Sequence, residues 1–295
     1  GQIGRLARLC RPFVGVITNV GLSHAQMFRH VQEIVDAKGE LLEHLPSNGV
    51  AVLHRDSVHF QPLREKVRCR LLTFGLHSEA KVRAEGIRYL LEGPQGWRMQ
   101  FRLVLPDGSA ARVHLRLLGE HNVMNALAAA AVGYVLQVPL EAIVAGLESV
   151  EGLPMRTQLL RTPSGIVVLH DAYNAAPDSM AAALETLIHL PAQRHGAALG
   201  DMKELGELET VEHLKVGRLA AEKGLDFLIT VGEGGRLIAQ GAQEAGFPPQ
   251  RLWVCASNEE ALSILRGLLQ PQDAILVKGS RAMNMEEIVH GLLEG

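Results

Sequence analysis

Short apolar runs alternate with segments of helical spacing from about residue 153 to the end of the chain. Continuous apolar strands that are each followed by an amphipathic helix are typical of a parallel sheet covered by helices on both faces. This half of the chain is therefore predicted to fold as a doubly wound, Rossmann-like α/β domain. The expected strands are GIVVLH, HGAALG, DFLITVG, RLWVCA and DAILVKG.

Ligands of doubly wound sheets bind beyond the carboxyl ends of the strands. Asp171, Asp201, Gly232 and Lys278 all fall at such ends. Asp171 has two interpretations at this stage. It could cap the helix that follows, which is the common role of a carboxylate in that position. Alternatively, it could accept hydrogen bonds from a pair of ribose hydroxyls, as acidic residues at strand ends do in nucleotide-binding folds.

The residues before about 152 have a less regular pattern, which predicts a mixed α/β unit. The length of 295 residues suits two cores of about 150 residues each. We therefore expect domains at 1–152 and 153–295, with a candidate hinge between them. Alternating apolar and polar residues over 69–118 predict antiparallel strands. The other predicted elements of this unit are strands at 13–18 and 49–53 and helices at 31–45, 121–135 and 139–152.

A lysine completes the apolar stripe of the helix predicted at 31–45. An ammonium on a buried face costs several kcal/mol unless it is paired, neutralised or carried to the surface. Lys38 could extend its stem along the stripe to reach water. It could also face a polar site together with His24, which lies in the loop after the first strand. Both interpretations remain open at this point, because a single loop histidine is weak evidence for a ligand.

Two asparagines share one face of the helix predicted at 121–135. Asn122 and Asn125 are three residues apart, opposite the apolar positions Val123 and Leu127. Two amides on one face can offer paired donors and acceptors to the edge of a purine ring. Ordinary N-terminal capping of the helix by Asn122 explains the pattern equally well.

Composition and missing motifs exclude several classes of function. The formal net charge of -3 leaves no basic excess to neutralise a nucleic acid backbone. Three widely separated cysteines without a CxxC pair are typical of reduced thiols in a cytoplasmic protein. The longest apolar run, ALAAAAVGYVLQV, is too short to span a bilayer. The chain also lacks the GxxxxGK[ST], HExxH and GxSxG patterns.

Six motifs appear in an order that resembles the Mur ligases, most closely those of the MurF type. They are NVGLSH, DAKGE, LGEHNVMNALAAA, HDAYNAAPDSM, LGDMKELG and VKGSRAMNMEEIV. Each motif is weak alone, but the ordered set is specific and covers nearly the whole chain. The resemblance implies the later part of a central ATPase domain, followed by a complete Rossmann-like C-terminal domain. The family's N-terminal UDP-sugar domain and phosphate-binding loop are expected to be absent.

The resemblance also implies roles for individual residues. His24 matches a magnesium-binding histidine, and Lys38 matches a lysine that several Mur ligases carbamylate, which makes it an anion able to help hold Mg²⁺. Asn122 and Asn125 match the asparagines that bind adenine. The remaining matches lie in the second domain: Arg156 near the ATP phosphates, Asp171 on the ribose, and Asn174, Lys278 and Ser280 facing the amino substrate.

The implied chemistry is ATP-dependent amide bond formation through an acyl phosphate, with D-Ala-D-Ala added to a UDP-MurNAc-tripeptide in peptidoglycan synthesis. ATP and Mg²⁺ are the expected cofactors, and the expected protein is a cytoplasmic monomer that binds neither nucleic acid nor membrane. The family's DDSYNANP reads HDAYNAAP here, so Ala172 and Ala176 replace polar residues. A non-catalytic nucleotide-binding module and a related ligase, such as a folylpolyglutamate synthase, are the alternatives.

Overall fold

A computed structural model describes residues 1–21, 30–91 and 96–294 of the chain. These residues form two compact units, the first ending at Glu151 and the second beginning at Gly152. The first is a mixed sheet with helices and the second is a doubly wound sheet, as the sequence predicted. Across the described ranges, no helix is long and apolar enough to cross a membrane.

The sheet of the first unit has the strand order β1-β2-β3-β4-β5-β6. Its strands β1 to β4 pair in parallel, whereas β4, β5 and β6 form an antiparallel meander. The antiparallel prediction for 69–118 is therefore correct for β5 and β6 and wrong for β3. Helix α3 (Phe60–Glu65) connects β2 to β3, and such a crossover makes parallel pairing possible. The strands are β1 Val14–Ile17, β2 Val50–His54, β3 Arg70–Gly75, β4 Val82–Leu91, β5 Trp97–Val104 and β6 Ala110–Leu115.

Helix α4 provides the main apolar support on this sheet. Val123, Leu127 and Ala130 are fully buried along one of its faces. Helix α2 buries Ile34, Val35 and Leu42 in a second cluster, which includes residues of β1 and β2. The helices of this unit are α1 Gln2–Cys10, α2 Val31–Glu43, α3 Phe60–Glu65, α4 Glu120–Val135 and α5 Leu140–Ser149.

The sheet of the second unit has the order β11-β10-β9-β12-β8-β7. The strands β8 to β12 pair in parallel, and the edge strand β7 is antiparallel to β8. The sequence pattern predicted the parallel strands and missed β7. Their bounds are β7 Gln158–Arg161, β8 Val167–His170, β9 Arg194–Gly200, β10 Phe227–Val231, β11 Leu252–Cys255 and β12 Asp273–Lys278.

Glycines allow two helices of this unit to pack unusually closely. A Cβ atom on Gly217 would lie 1.9 Å from the carbonyl oxygen of Ile238, and one on Gly241 would lie 2.1 Å from that of Leu214. Larger residues at either position would separate α7 from α8. The helices are α6 Pro177–Ile188, α7 Glu209–Glu222, α8 Glu233–Glu244, α9 Asn258–Leu268 and α10 Glu286–Leu293.

Candidate functional site at the carboxyl edge of the second sheet

The carboxyl ends of three adjacent strands bring charged residues together. Strand β12 lies between β9 and β8 in the sheet. Lys278 is the last residue of β12, while Asp171 follows β8 and Asp201 follows β9. These positions agree with the strand ends predicted from the sequence. The two aspartates and the lysine therefore lie at the edge where parallel sheets bind ligands.

Lys278 and Asp171 form an almost buried ion pair. The Nζ of Lys278 lies 2.5 Å from Oδ2 of Asp171, and the lysine side chain is 2% exposed. The same Nζ donates to the backbone oxygen of Asn174 at 2.8 Å. Burial lowers the pKa of Lys278 from its ordinary value, while the carboxylate of Asp171 favours the charged form. The sequence predicted both residues at the site but did not predict that they contact each other.

Asp171 does not cap the next helix. Helix α6 begins after Ala176, and the Oγ of Ser179 accepts a hydrogen bond from the backbone N–H of Ala176 at 2.9 Å. The Oδ1 of Asp171 instead accepts a hydrogen bond of 2.8 Å from the backbone N–H of Thr157. The capping interpretation is therefore wrong. Since Thr157 follows Arg156 directly, this bond also places the arginine's backbone beside the carboxylate.

Arg156 stacks on an aromatic ring that the sequence analysis did not single out. Its Cζ lies 3.9 Å from the ring centroid of Tyr173, a geometry that favours a cation–π interaction. The backbone N–H of Tyr173 also donates to the carbonyl of Met155 at 3.1 Å. Tyr173 is 46% exposed. The available sequence signal was a large aromatic two residues after a strand-end carboxylate, where burial in the core is not expected.

Ser280 holds two neighbouring loops together. Its Oγ accepts a hydrogen bond of 2.8 Å from the backbone N–H of Lys203 and lies 3.5 Å from the carbonyl of Ala175. The residue is 3% exposed. Lys203 itself extends its ammonium to Asp201, with 2.6 Å between Nζ and Oδ2. Among the predicted site residues of this unit, Lys278 contacts Asp171 and Asn174, whereas Ser280 bonds to neighbouring residues; Ser280 and Lys278 are buried and Asn174 is exposed.

His213 fixes the loop after β9 and was also missed by the sequence analysis. Its ring is fully buried. Nε2 accepts a hydrogen bond of 2.9 Å from the backbone N–H of Met202, so Nδ1 carries the proton and donates to the carbonyl of Glu209 at 2.6 Å. The signal was a histidine on the apolar side of α7, in line with Val216 and Ala220. Such a residue is a satisfied core histidine that stabilises a loop.

The first unit places Asn122 and Asn125 on one face of α4, as predicted. Nδ2 of Asn122 donates to the carbonyl of Leu118 at 2.8 Å, and Nδ2 of Asn125 donates to Oδ1 of Asn122 at 3.2 Å. The N-cap of α4 is Gly119, so capping by Asn122 is wrong. Because Asn125 is exposed, its amide remains accessible to a ligand.

Lys38 is half-buried on α2, and its Nζ donates to the backbone oxygen of Asn19 at 2.7 Å. Asn19 lies in the segment after β1, on the chain that leads towards His24. His24 lies outside the described residues. Among the residues that the structure describes, no cluster of three or more His, Cys, Asp or Glu side chains could hold a metal ion. An unmodified ammonium is positively charged and does not bind a divalent cation. Lys38 would therefore have to be carbamylated to hold Mg²⁺, and this modification remains a prediction.

Two family profiles match the two units. The Mur ligase middle domain matches residues 1–133, and the Mur ligase glutamate ligase domain matches residues 155–281. UDP-N-acetylmuramoyl-tripeptide–D-alanyl-D-alanine ligases are similar along the whole chain. The one from Bacillus subtilis is 33% identical over 100% of this chain and 62% of its own length. That from Escherichia coli is 32% identical over 100% of this chain and 63% of its own length. The chain thus spans about three fifths of these relatives.

Solved structures give the same result. MurF from Acinetobacter baumannii superposes with a TM-score of 0.88 at 33% identity, covering 99% of this chain and 62% of that one. MurF from Thermotoga maritima, solved in complex with ADP, has a TM-score of 0.85 at 23% identity and covers 100% of this chain and 64% of that one. The second comparison supports the fold alone.

Proposed function

Because the chain belongs to the Mur ligase family, we propose that it supplies the nucleotide and amine sites of a MurF-type ligase. Such a ligase joins D-alanyl-D-alanine to a UDP-N-acetylmuramoyl-tripeptide with consumption of ATP. The observation that carries the proposal is the Asp171 carboxylate, which is fixed at the carboxyl edge of the sheet by Lys278 and by the backbone of Thr157, the residue next to the exposed Arg156. A fixed acceptor beside a cation suits a nucleoside phosphate.

Residues of the second unit have distinct proposed roles. Asp171 accepts hydrogen bonds from the ribose hydroxyls, and Arg156 neutralises charge on the phosphates. Arg156 is already held over Tyr173, so it loses less side-chain entropy when it binds an anion than a free arginine would. The family resemblance assigns Asn174, Lys278 and Ser280 to the side that receives the amino substrate, and among them only Asn174 is exposed.

Residues of the first unit are proposed to bind the adenine of ATP and the magnesium ion. Asn122 and Asn125 are proposed to bind the edge of adenine, because their linked amides leave donors and acceptors on the exposed face of α4. Lys38, once carbamylated, and His24 are the proposed magnesium ligands. Magnesium would neutralise phosphate charge when bound. The hydrogen bond from Lys38 to Asn19 brings this lysine to the segment after β1. His24, the other proposed ligand, follows Asn19 in the sequence.

The proposed reaction has two chemical steps. An oxygen of the peptide carboxylate attacks the γ-phosphorus of ATP, which breaks the bond to the leaving oxygen and releases ADP. The amine of D-alanyl-D-alanine then attacks the acyl phosphate, loses a proton and expels inorganic phosphate from a tetrahedral intermediate. Charge on the transferring phosphoryl group is stabilised by fixed cations, and Arg156 is the proposed cation of this chain.

Ala172 gives little support to a non-catalytic binding module. This residue replaces a polar residue of the family motif, but it is fully buried in the core of the second unit. Its side chain therefore packs against the protein and does not face a ligand. Ala176, the other substitution, is the N-cap of α6, where Ser179 supplies the hydrogen bond to the backbone. Ligand contacts need not be lost at either position.

The first test is ligation by the chain itself and by a completed form. ADP release and product formation are measured with ATP, Mg²⁺, UDP-MurNAc-tripeptide and D-Ala-D-Ala. The samples are the 295-residue chain and a fusion to the part of the Bacillus subtilis relative that this chain does not span. We expect product from the fusion and its loss on Arg156→Ala. A folded fusion that binds ADP but ligates no dipeptide would contradict the MurF assignment.

A further inference from the structure

Lys278 is enclosed by the second unit. It is the last residue of β12, and its side chain is 2% exposed, so its ammonium is not presented to a ligand in solution. Its hydrogen-bond partners all lie on one loop: Oδ2 of Asp171 at 2.5 Å, the carbonyl of Asn174 at 2.8 Å and the carbonyl of Asp171 at 3.5 Å. An ammonium has three donors. Those of Lys278 are directed to the 171–174 loop.

Asp171 is held from several sides at once. Its backbone N–H donates to the carbonyl of Val277 at 3.0 Å. Its Oδ1 accepts from the backbone of Thr157 at 2.8 Å, while its Oδ2 accepts from Lys278. A carboxylate offers about four lone pairs. The two contacts therefore fix the orientation of the group and leave acceptor capacity on a side chain that is 13% exposed.

We propose that Lys278 is a positioning residue, which orients Asp171 and the 171–174 loop for the nucleotide and does not contact the amino substrate. This inference rests on the proposed function, in which Asp171 accepts the ribose hydroxyls. It replaces the substrate-contacting role that the sequence resemblance implied for Lys278. A carboxylate fixed before the ligand arrives avoids the entropic cost of ordering it on binding.

The test measures whether loss of the ammonium affects recognition of ribose. Affinities for ADP and for 2′,3′-dideoxy-ADP are determined by calorimetry for the chain and for Lys278→Met. Each hydrogen bond that a ligand donates to a charged acceptor raises its affinity by about tenfold or more. We therefore expect wild type to prefer ADP by about that factor. In Lys278→Met the preference should fall towards one, because the Asp171 carboxylate then keeps only its hydrogen bond from Thr157 and is no longer fixed on both oxygens.

Arg194→Met is the matched control for general loosening of the fold. Arg194 pairs with Asp273, the first residue of β12, through bonds of 3.0 and 2.6 Å. The control thus breaks an ion pair at the opposite end of the same strand. A structural effect alone would weaken both nucleotides equally in both variants. The inference requires that Arg194→Met keep the preference for ADP.

A double variant tests the inference even if Lys278→Met folds poorly. Lys278→Met combined with Asp171→Asn removes both charges, so neither group is left unpaired. If Lys278 acts through Asp171, the double variant and Asp171→Asn bind ADP with equal affinity. A further loss of affinity in the double variant would overturn the inference.

The outcomes separate the inference from the proposed function. Failure of the wild-type chain to bind ADP would overturn the proposed function and, with it, the inference. A wild-type preference for ADP that persists in Lys278→Met would overturn the inference alone. An effect confined to the affinity for D-Ala-D-Ala would return Lys278 to the role of a substrate contact.

Discussion

Strand β12 begins and ends with an ion pair, and the two pairs differ in what they leave available. At the amino end, Asp273 accepts two hydrogen bonds from Arg194 and a third of 2.8 Å from the backbone of Gln270. Its side chain is 1% exposed. The guanidinium is covered by Phe227, with 5.5 Å between Cζ and the ring centroid. At the carboxyl end, Asp171 is 13% exposed and retains unused acceptors.

The difference lies in how much hydrogen-bonding capacity each aspartate keeps after it has paired with its cation. A buried carboxylate that accepts three hydrogen bonds from the protein, as Asp273 does, stabilises the fold and is closed to a ligand. A carboxylate that is fixed but unsaturated is prepared to accept hydrogen bonds from a ligand. The second arrangement lies at the edge where doubly wound sheets bind ligands. Buried charge by itself is therefore a poor guide to a functional site, and the remaining hydrogen-bonding capacity is a better one.

The largest predicted effect is on stability at the amino end. Arg194→Met leaves the Asp273 carboxylate buried without its counterion, which costs about 3–5 kcal/mol in the free energy of unfolding. Urea unfolding at pH 7 in a Trp97→Phe background measures it, because Trp253 then reports the second unit. Arg194→Met combined with Asp273→Asn should recover part of the loss. A single-variant loss below about 1 kcal/mol would contradict the assignment.

The corresponding substitution at the carboxyl end should cost less. Lys278→Met leaves Asp171 with the Thr157 hydrogen bond and some contact with water. We expect a loss of about 2 kcal/mol in the free energy of unfolding, reported by the same Trp253 fluorescence. Asp171→Asn in addition should restore most of it. If Lys278→Met lost as much stability as Arg194→Met, the carboxylates at the two ends of β12 would be equally inaccessible to water. The contrast between the two ion pairs would then be removed.

Sequence periodicity predicted much of this fold, because the spacing of apolar residues reflects which side chains are buried. Continuous apolar runs identified the parallel strands of the second unit, where helices cover both faces. Strand β7 was missed because QLLR is a short, half-buried edge strand without such a run. Strand β3 was predicted to pair antiparallel with its neighbours but pairs in parallel with them. The alternation of residues specifies which side chains are buried and not how a strand pairs.

The sequence predicted where the candidate site residues lie in the sheet, but it did not predict which residues they contact. Strand ends placed Asp171 and Lys278 at the correct edge, because the carboxyl ends of parallel strands share one side of a sheet. Their contact joins residues 107 positions apart, which no local pattern encodes. The stacking of Arg156 on Tyr173 likewise depends on how the start of β7 meets the loop after β8.

The smallest predicted effect is a pH dependence of the carboxyl end. His170, the last residue of β8, is 4% exposed, and its Nδ1 is buried without a hydrogen-bond partner in the described part of the chain. Burial lowers its pKa below 6.5, and His290 adds to this effect, whereas Glu286 and Asp171 oppose it. The unfolded chain therefore takes up the proton more readily than the folded one, and stability is lost as the pH falls below about 6.5.

We expect the second unit to lose about 1 kcal/mol of stability between pH 6.5 and 5, and His170→Asn to reduce that loss. Trp253 fluorescence confines the measurement to this unit. This matters because burial also lowers the pKa of His54 in the first unit. His54→Asn is therefore the control that should leave the second unit's slope unchanged. An unchanged slope in His170→Asn would assign the acid sensitivity of the second unit to another group.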